Sequence, residues 1–368
     1  MDADKHFLSI CQPYNRCVST TDVLIAGGGI IGLSTALELA GRGLRVTVLE
    51  RGHAMMEASW AAAGMLSARD PENPPELRPL SDLSISLYPD YLNTVENLSR
   101  LQIPLRTSRT LLGSDRNAAS DNALSLSEIA LNFPDLNAAG HSFGWLDEHS
   151  LDPRDLCAAL PGAAAAAGTC LVEQSPVTGV RGTASGVEVA TPRTTWSAAH
   201  FVNCCGAWSG ALSNLPFIEP RKGQMATVKL PPHCSLDCVL RTPDLYLVPR
   251  GDGRIVIGAS VERAGFDKSV DEATIQSLLD AAAALWPPVR DAEIVETWAG
   301  LRPGSADGLP VIGACGEQNC WIASGHFRNG ILLGPATARV MCELLLGERP
   351  SIDLAPFRCD RFVATSVS

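Results

Sequence analysis

An apolar run, Asp22–Ala26, leads into three consecutive glycines. Beyond them Ile30, Leu33, Leu37 and Ala40 recur at the spacing of one helix face, and Gly43 closes that helix just after Arg42. A second apolar run, Arg45–Leu49, stops at Glu50. Strand, turn, helix, turn and strand together make a βαβ unit.

Further along, residues 70–80 are rich in proline and predict a loop or a crossing between domains. Leu83, Leu87, Tyr91, Val95 and Leu98 predict a helix over 82–101, and the pattern then weakens into short strands and loops over 105–147. Asp152 and Pro153 open another helix as cap and first-turn residue. Pro161 and Gly162 are expected to interrupt it, leaving Ala163–Ala167 as a separate turn. Strands are expected at 170–180, 186–191 and 199–204, and a hairpin at 244–250 and 254–260 around Gly251, Asp252 and Gly253. Pro249 marks the first hairpin strand as an edge or a bulge. An amphipathic helix is expected over 271–286, and a last helix, Ile331–Leu346, follows a glycine-rich stretch. Residues 1–21 read as a disordered or appended leader.

Composition narrows the function. The 368 residues suffice for two or three domains, and a hydrophobic share of 46% supplies their cores. The net charge of −11 repels phosphate backbones, so no nucleic-acid partner is expected. The apolar runs are too short for a membrane span, and the N-terminal segment lacks the basic and long apolar regions of a secretory signal. A cytoplasmic protein is therefore expected. The 12 cysteines show no zinc spacing, so no metal site is expected. They read as reduced thiols, mostly buried as small hydrophobic groups, with Cys11 and Cys17 in the leader.

The first βαβ unit carries candidate chemistry. Gly27, Gly29 and Gly32 follow the strand as GxGxxG and open the helix, and Glu50 ends the next strand. Gly27 permits the tight turn, Gly29 lets a pyrophosphate approach the backbone, and Gly32 lets helix and strand pack closely. The helix N-terminus offers N–H groups and partial positive charge to phosphates. Glu50 can accept hydrogen bonds from ribose hydroxyls and disfavours a 2′-phosphate. Glycine turns alone are common; all these parts together point to a dinucleotide, without separating NAD from FAD.

Three later segments decide between them. These are AAAGML within Ala58–Leu66, GLRPGSADGLPVIG within Ala299–Gly313, and GHFRNGILLGPAT within Ala323–Thr337. With the glycine turn they resemble the glycine oxidase branch of the D-amino-acid oxidase family of FAD enzymes, over about residues 22–345. The resemblance implies an α/β fold, a Rossmann-type FAD-binding domain with an inserted α+β substrate domain built on a large antiparallel sheet. On this chain the FAD-binding domain takes 20–83, 148–215 and 296–368, the substrate domain 84–147 and 216–295, and the leader 1–19.

The same resemblance assigns residues. Ile30 and Ile31 meet the pyrophosphate, Glu50 and Arg51 the adenosine ribose, Ala58 and Ser59 the phosphate side, and Val177 the adenine through its backbone. Ala63, Gly64 and Met65 lie beside the flavin, and the loop His326, Phe327, Arg328, Asn329, Gly330, Ile331 and Leu332 covers its ring. Arg302 and Arg328 meet the substrate with Tyr246. A planar guanidinium suits a bidentate grip on a carboxylate, and a tyrosine can wall a pocket while donating its hydroxyl. A helix N-terminus at Gly330 suits the negative charge of a reduced flavin. FAD is expected to be non-covalent; Cys315 is the only nearby candidate for attachment.

The implied reaction is oxidation of glycine, sarcosine or small D-amino acids by hydride transfer to flavin N5. It yields an oxo acid, ammonia and, with molecular oxygen as partner, hydrogen peroxide. A role in thiamine (thiazole) biosynthesis and a homo-oligomer, a tetramer, come with it. The alternative is a D-amino-acid dehydrogenase passing electrons to quinone or another carrier. A flavin-binding scaffold without turnover and an NAD-dependent dehydrogenase are further readings, the last without a visible nicotinamide-binding half.

Overall fold

The computed structural model describes residues 21–115, 123–213 and 215–362; the expected leader, with Cys11 and Cys17, lies outside them. Two large sheets organise the chain. The first runs in space as Val311–Ala314, Cys320–Ser324, Thr195–Asn203, Thr21–Ala26, Val46–Leu49 and Cys170–Val172. From Cys320–Ser324 onward every neighbouring pair is parallel. Val23, Leu24, Ile25, Val46 and Val48 are all buried, as strands covered on both faces must be. On one face Val23 and Ile25 share a core with the helices Ile30–Gly41, Arg78–Ser99, Pro153–Ala166 and Gly330–Leu345. On the other, Leu24 and Leu49 cluster with Val187 and Val189 of the Gly186–Ala190 strand.

The second sheet is ordered Glu293–Ser305, Ile218–Lys229, Arg254–Gly258, Tyr246–Pro249, Val239–Arg241, Thr110–Asp115 and His141–Leu146. It is antiparallel except where Val239–Arg241 pairs with Thr110–Asp115. Leu247, Ile255 and Ile257 pack with Ala282 and Leu285 of the Glu272–Leu285 helix. Its longest ladder sets Gly223 opposite Gly300 and Arg221 opposite Arg302. The architecture is the expected Rossmann-type α/β fold with a large, mainly antiparallel second sheet. No helix among the described residues is long and apolar enough to cross a membrane.

Some expectations need correction. The Pro153–Ala166 helix continues through Pro161. Leu156, Ala159, Leu160, Ala163 and Ala164 are fully buried along it, and that packing outweighs one missing N–H donor. The helix expected over 82–101 starts earlier, at Arg78, because Pro79 falls in the first turn, where its missing N–H is harmless. The Tyr246–Pro249 strand is interior, flanked on both sides; Pro249 is its last residue, opposite Ile255.

The cysteines are not all reduced. Cys315 is bonded to Cys359, with Cα atoms 5.7 Å apart, and Cys170 is also disulfide-bonded. The segment Cys359–Phe362 returns to the first sheet, where Cys359 and Phe362 pack with Val311 and Ile322, and this joins thiols 44 residues apart. Cys315 is therefore no attachment point for a flavin. The thiols of Cys157, Cys205 and Cys238 are pushed up to about 12 by burial, which fits a structural role.

Candidate active site

A cavity of about 580 Å³ is lined from both sheets. Its first wall is the glycine turn. Gly27 has φ +104°, and a Cβ there would sit 2.3 Å from the carbonyl oxygen of Cys204. A Cβ on Gly32 would sit 2.0 Å from the Gly27 oxygen. The turn therefore closes on itself and on the neighbouring strand only without side chains, which leaves its outer face clear. The helix that follows starts with no acidic residue in its first turn and no side-chain cap from Gly29. Its Ile30 N–H donates to Ser59 Oγ at 2.9 Å.

Glu50 is buried at this wall. Its carboxylate accepts from the Gly28 N–H at 2.7 Å and the Gly52 N–H at 2.8 Å, which fixes its orientation. Arg51 lies over the Trp208 ring at 3.5 Å and pairs with Glu57 at 2.8 Å. Val177 lines the cavity from the loop between Cys170–Val172 and Gly179–Thr183.

The opposite wall comes from the second sheet. Tyr246 begins its strand opposite Gly258, where a Cβ would lie 2.5 Å from the Tyr246 hydroxyl. Arg302 lies over Gly223, where a Cβ would come within 2.2 Å of its Nη1. Two glycines thus make room for the two side chains. Arg302 Nη1 donates to the Ser260 carbonyl at 3.1 Å, and its positive charge acts on the Tyr246 hydroxyl in the same cavity. Burial raises that hydroxyl above its ordinary value and the Arg302 cation opposes the shift, so the hydroxyl keeps its proton.

Between the walls run Ala63, Gly64 and Met65 on one side and His326 to Ile331 on the other. Burial lowers the His326 imidazole to about 3, so it is neutral. Its Nε2 is bonded to Thr337 Oγ1 at 3.0 Å, and its Nδ1 is buried without a protein partner. Clear glycine backbone, an acid-free helix start, a fixed acid and an orphaned imidazole nitrogen on one cavity fit FAD.

Most of the expected residues come together here. Gly27, Gly29, Ile30, Ile31, Glu50, Arg51, Ala58, Ser59, Ala63, Gly64, Met65, Val177, His326, Phe327, Arg328, Asn329, Gly330, Ile331, Tyr246 and Arg302 all line the cavity. Gly32 and Leu332 do not. Gly32 packs against the turn, and Leu332 is buried in the helical core, where its carbonyl accepts from Ser84 Oγ. Arg328 lines the cavity, but both arms of its guanidinium rest on acids: Glu72 at 2.6 Å and Asp70 at 3.2 Å.

Sequence reasoning missed Trp208, Arg241, Asp70 and Glu72 in the lining. Trp208 had a signal, since the turn after the Thr195–Asn203 strand is a further strand-to-helix turn of the sheet. The acids sat in a proline-rich segment that reads as mere connection.

The family model for FAD dependent oxidoreductases (DAO) matches residues 22–344. A glycine oxidase of Pseudomonas aeruginosa is 34% identical, over 91% of this chain and 97% of its own. The crystal structure of glycine oxidase from Geobacillus kaustophilus superposes with a TM-score of 0.88 at 32% identity, over 93% of this chain and 99% of that one. The bifunctional protein ThiO/ThiG of Trichormus variabilis is 35% identical over 93% of this chain, which spans only about half (55%) of that protein. With the glycine turn, the buried acid and the cavity they border, these matches establish that the chain belongs to the FAD-dependent oxidoreductase (DAO) family.

Proposed function

We propose that the protein oxidises small amines carrying one carboxylate, with glycine as the leading substrate and sarcosine and small D-amino acids behind it. One observation carries the reading. A guanidinium without a carboxylate partner among the described residues, Arg302, shares a cavity with the glycine turn and with Tyr246. A half-buried cation whose only hydrogen-bond acceptor among the described residues is a neutral carbonyl is primed for an anion from outside.

In this reading Gly27, Gly29, Ile30, Ile31, Glu50, Arg51 and Val177 hold the nucleotide half of FAD. Ala63 to Met65 and His326 to Ile331 flank the flavin. The sheets divide into FAD-binding and substrate domains along the boundaries expected above. FAD supplies the two-electron acceptor when bound. Arg302 and Tyr246 fix the carboxylate, and so aim the α-carbon; positioning provides much of the rate. No side chain need take the α-proton, because carbon loses it with its electron pair, as hydride. Water then hydrolyses the imine, so amine, oxygen and water become oxo acid, ammonia and hydrogen peroxide. The neutral His326 adds no cation beside the amine.

The names of the relatives support glycine oxidation, and those of the ThiO/ThiG type support service to thiamine biosynthesis. Molecular oxygen as acceptor and a cytoplasmic homotetramer complete the proposal. The test is the purified flavoprotein with glycine under air. Oxygen uptake with equal peroxide and ammonia is expected. Dye reduction by the same substrate without oxygen uptake would replace the oxidase with a carrier-linked dehydrogenase.

A further inference from the structure

Arg302 and Arg328 both line the cavity with Tyr246, and their surroundings are opposite. Arg302 donates to the Ser260 carbonyl, a neutral acceptor, and has no acidic partner among the described residues. Arg328 has Nη1 on Glu72 Oε2 at 2.6 Å and Nη2 on Asp70 Oδ2 at 3.2 Å. The same Asp70 oxygen accepts from Arg241 Nη1 at 3.1 Å, and Arg241 Nη2 lies 3.9 Å from Glu148 Oε2. The Asp70, Arg241 and Glu148 side chains are each less than a tenth exposed. Asn329 Nδ2 donates to Asn73 Oδ1 at 2.9 Å, tying the segment that carries the acids to the loop that carries Arg328.

The consequence is electrostatic. Three acids, Asp70, Glu72 and Glu148, face two arginines, Arg241 and Arg328, so this wall has no cationic charge to spare. A substrate carboxylate can take Arg302 without displacing anything charged. A second carboxylate on the same molecule would meet arginines already neutralised. It would have to displace Glu72 or Asp70 from Arg328 and bring like charges together on this wall.

We propose that Asp70 and Glu72 set the substrate class: by holding Arg328 they restrict the site to amines with one carboxylate and exclude those with two. This rests on the reading above that the site takes carboxylate-bearing amines. Both acids act through Arg328, so they are positioning residues.

The test uses pairs that differ by one carboxylate. Sarcosine and N-(carboxymethyl)glycine are compared as substrates. Acetate and malonate are compared as inert ligands, titrated against the visible spectrum of the bound flavin. The wild-type holoenzyme should prefer the single carboxylate by about tenfold or more in both pairs. Glu72→Gln should narrow both ratios by about tenfold, and adding Arg328→Gln should restore the wild-type ratios. A structural role for Glu72 would not give a gain that depends on Arg328. The proposal is overturned if the wild type does not discriminate, if Glu72→Gln leaves the ratios unchanged, or if the gain survives without Arg328. The wild-type ratio can overturn it even if the variant loses flavin. If no amine reduces the flavin, the functional reading fails, and the acetate-to-malonate ratio still decides this proposal.

Discussion

The two walls of the cavity are built on different principles. The glycine-turn wall is backbone: N–H groups, missing side chains and one acid fixed by Gly28 and Gly52. The sheet wall is charge: Arg302 and Tyr246 stand on strands of the second sheet, and Arg328, Arg241 and their acids are gathered from segments far apart in sequence. A backbone wall fails by being filled. A charged wall fails by losing or gaining a single group, and so can be retuned without rebuilding the fold.

The sharpest way to break the first wall is Gly32→Ala. Its Cβ would lie 2.0 Å from the Gly27 oxygen, which is backbone of the turn itself and has no side-chain freedom to swing away. The protein should purify with less than about a tenth of its flavin; near-normal flavin content would show that the turn is not held as described. Arg302→Ala should break the second wall and spare the first. Flavin content should be kept, while kcat/KM for glycine falls by about 30- to 4,000-fold, the equivalent of about 2–5 kcal/mol for an interfacial charge contact. Loss of flavin together with activity would contradict the separation of the two walls.

Gly258→Ala sharpens the comparison. The new Cβ would meet the Tyr246 hydroxyl at 2.5 Å, so the ring must shift while the dinucleotide turn is untouched. KM for glycine should rise by about tenfold with flavin retained. Tyr246→Phe removes the hydroxyl alone and should cost only about three- to tenfold in kcat/KM, as one neutral hydrogen bond does.

The smallest effect is in pH. The unfolded His326 imidazole gains its proton near its ordinary 6.5, whereas the folded one does so only near 3. Unfolding therefore takes up a proton in that window. Stability is unaffected above it and falls as pH drops from about 6.5. Between pH 7.5 and 5 the Tm of the wild type should fall by more than that of His326→Gln; equal falls would mean that His326 is not buried neutral.

How far the molecule could be read in its sequence follows the same division. The first βαβ unit was legible because its signals are local: glycines, helix period and terminal acid lie within about 30 residues, the length of such a unit. Ile30–Gly41 and Val46–Leu49 fall within a residue of expectation. The Leu126–Asn132 helix, in a stretch read as short strands and loops, carried a local signal that went unread, the Ser125 and Glu128 capping box. Pro161 misled because local propensity yields to burial of the whole helix face. The ion pairs of Arg328 could not be read at all. Glu72 and Asp70 lie 256 and 258 residues away, and only the fold brings them together. The family resemblance supplied Arg302, Tyr246 and Arg328 as substrate residues, but not the difference in ion pairing between the two arginines.

The central claim is that one cavity joins an FAD site to a carboxylate site for a small amine. Its most direct test is the visible spectrum of the purified protein, without oxygen, before and after glycine is added. The account predicts an oxidised flavin spectrum that bleaches on adding glycine and does so far more slowly in Arg302→Ala. A flavin that stays oxidised with glycine, sarcosine and D-alanine alike would contradict it.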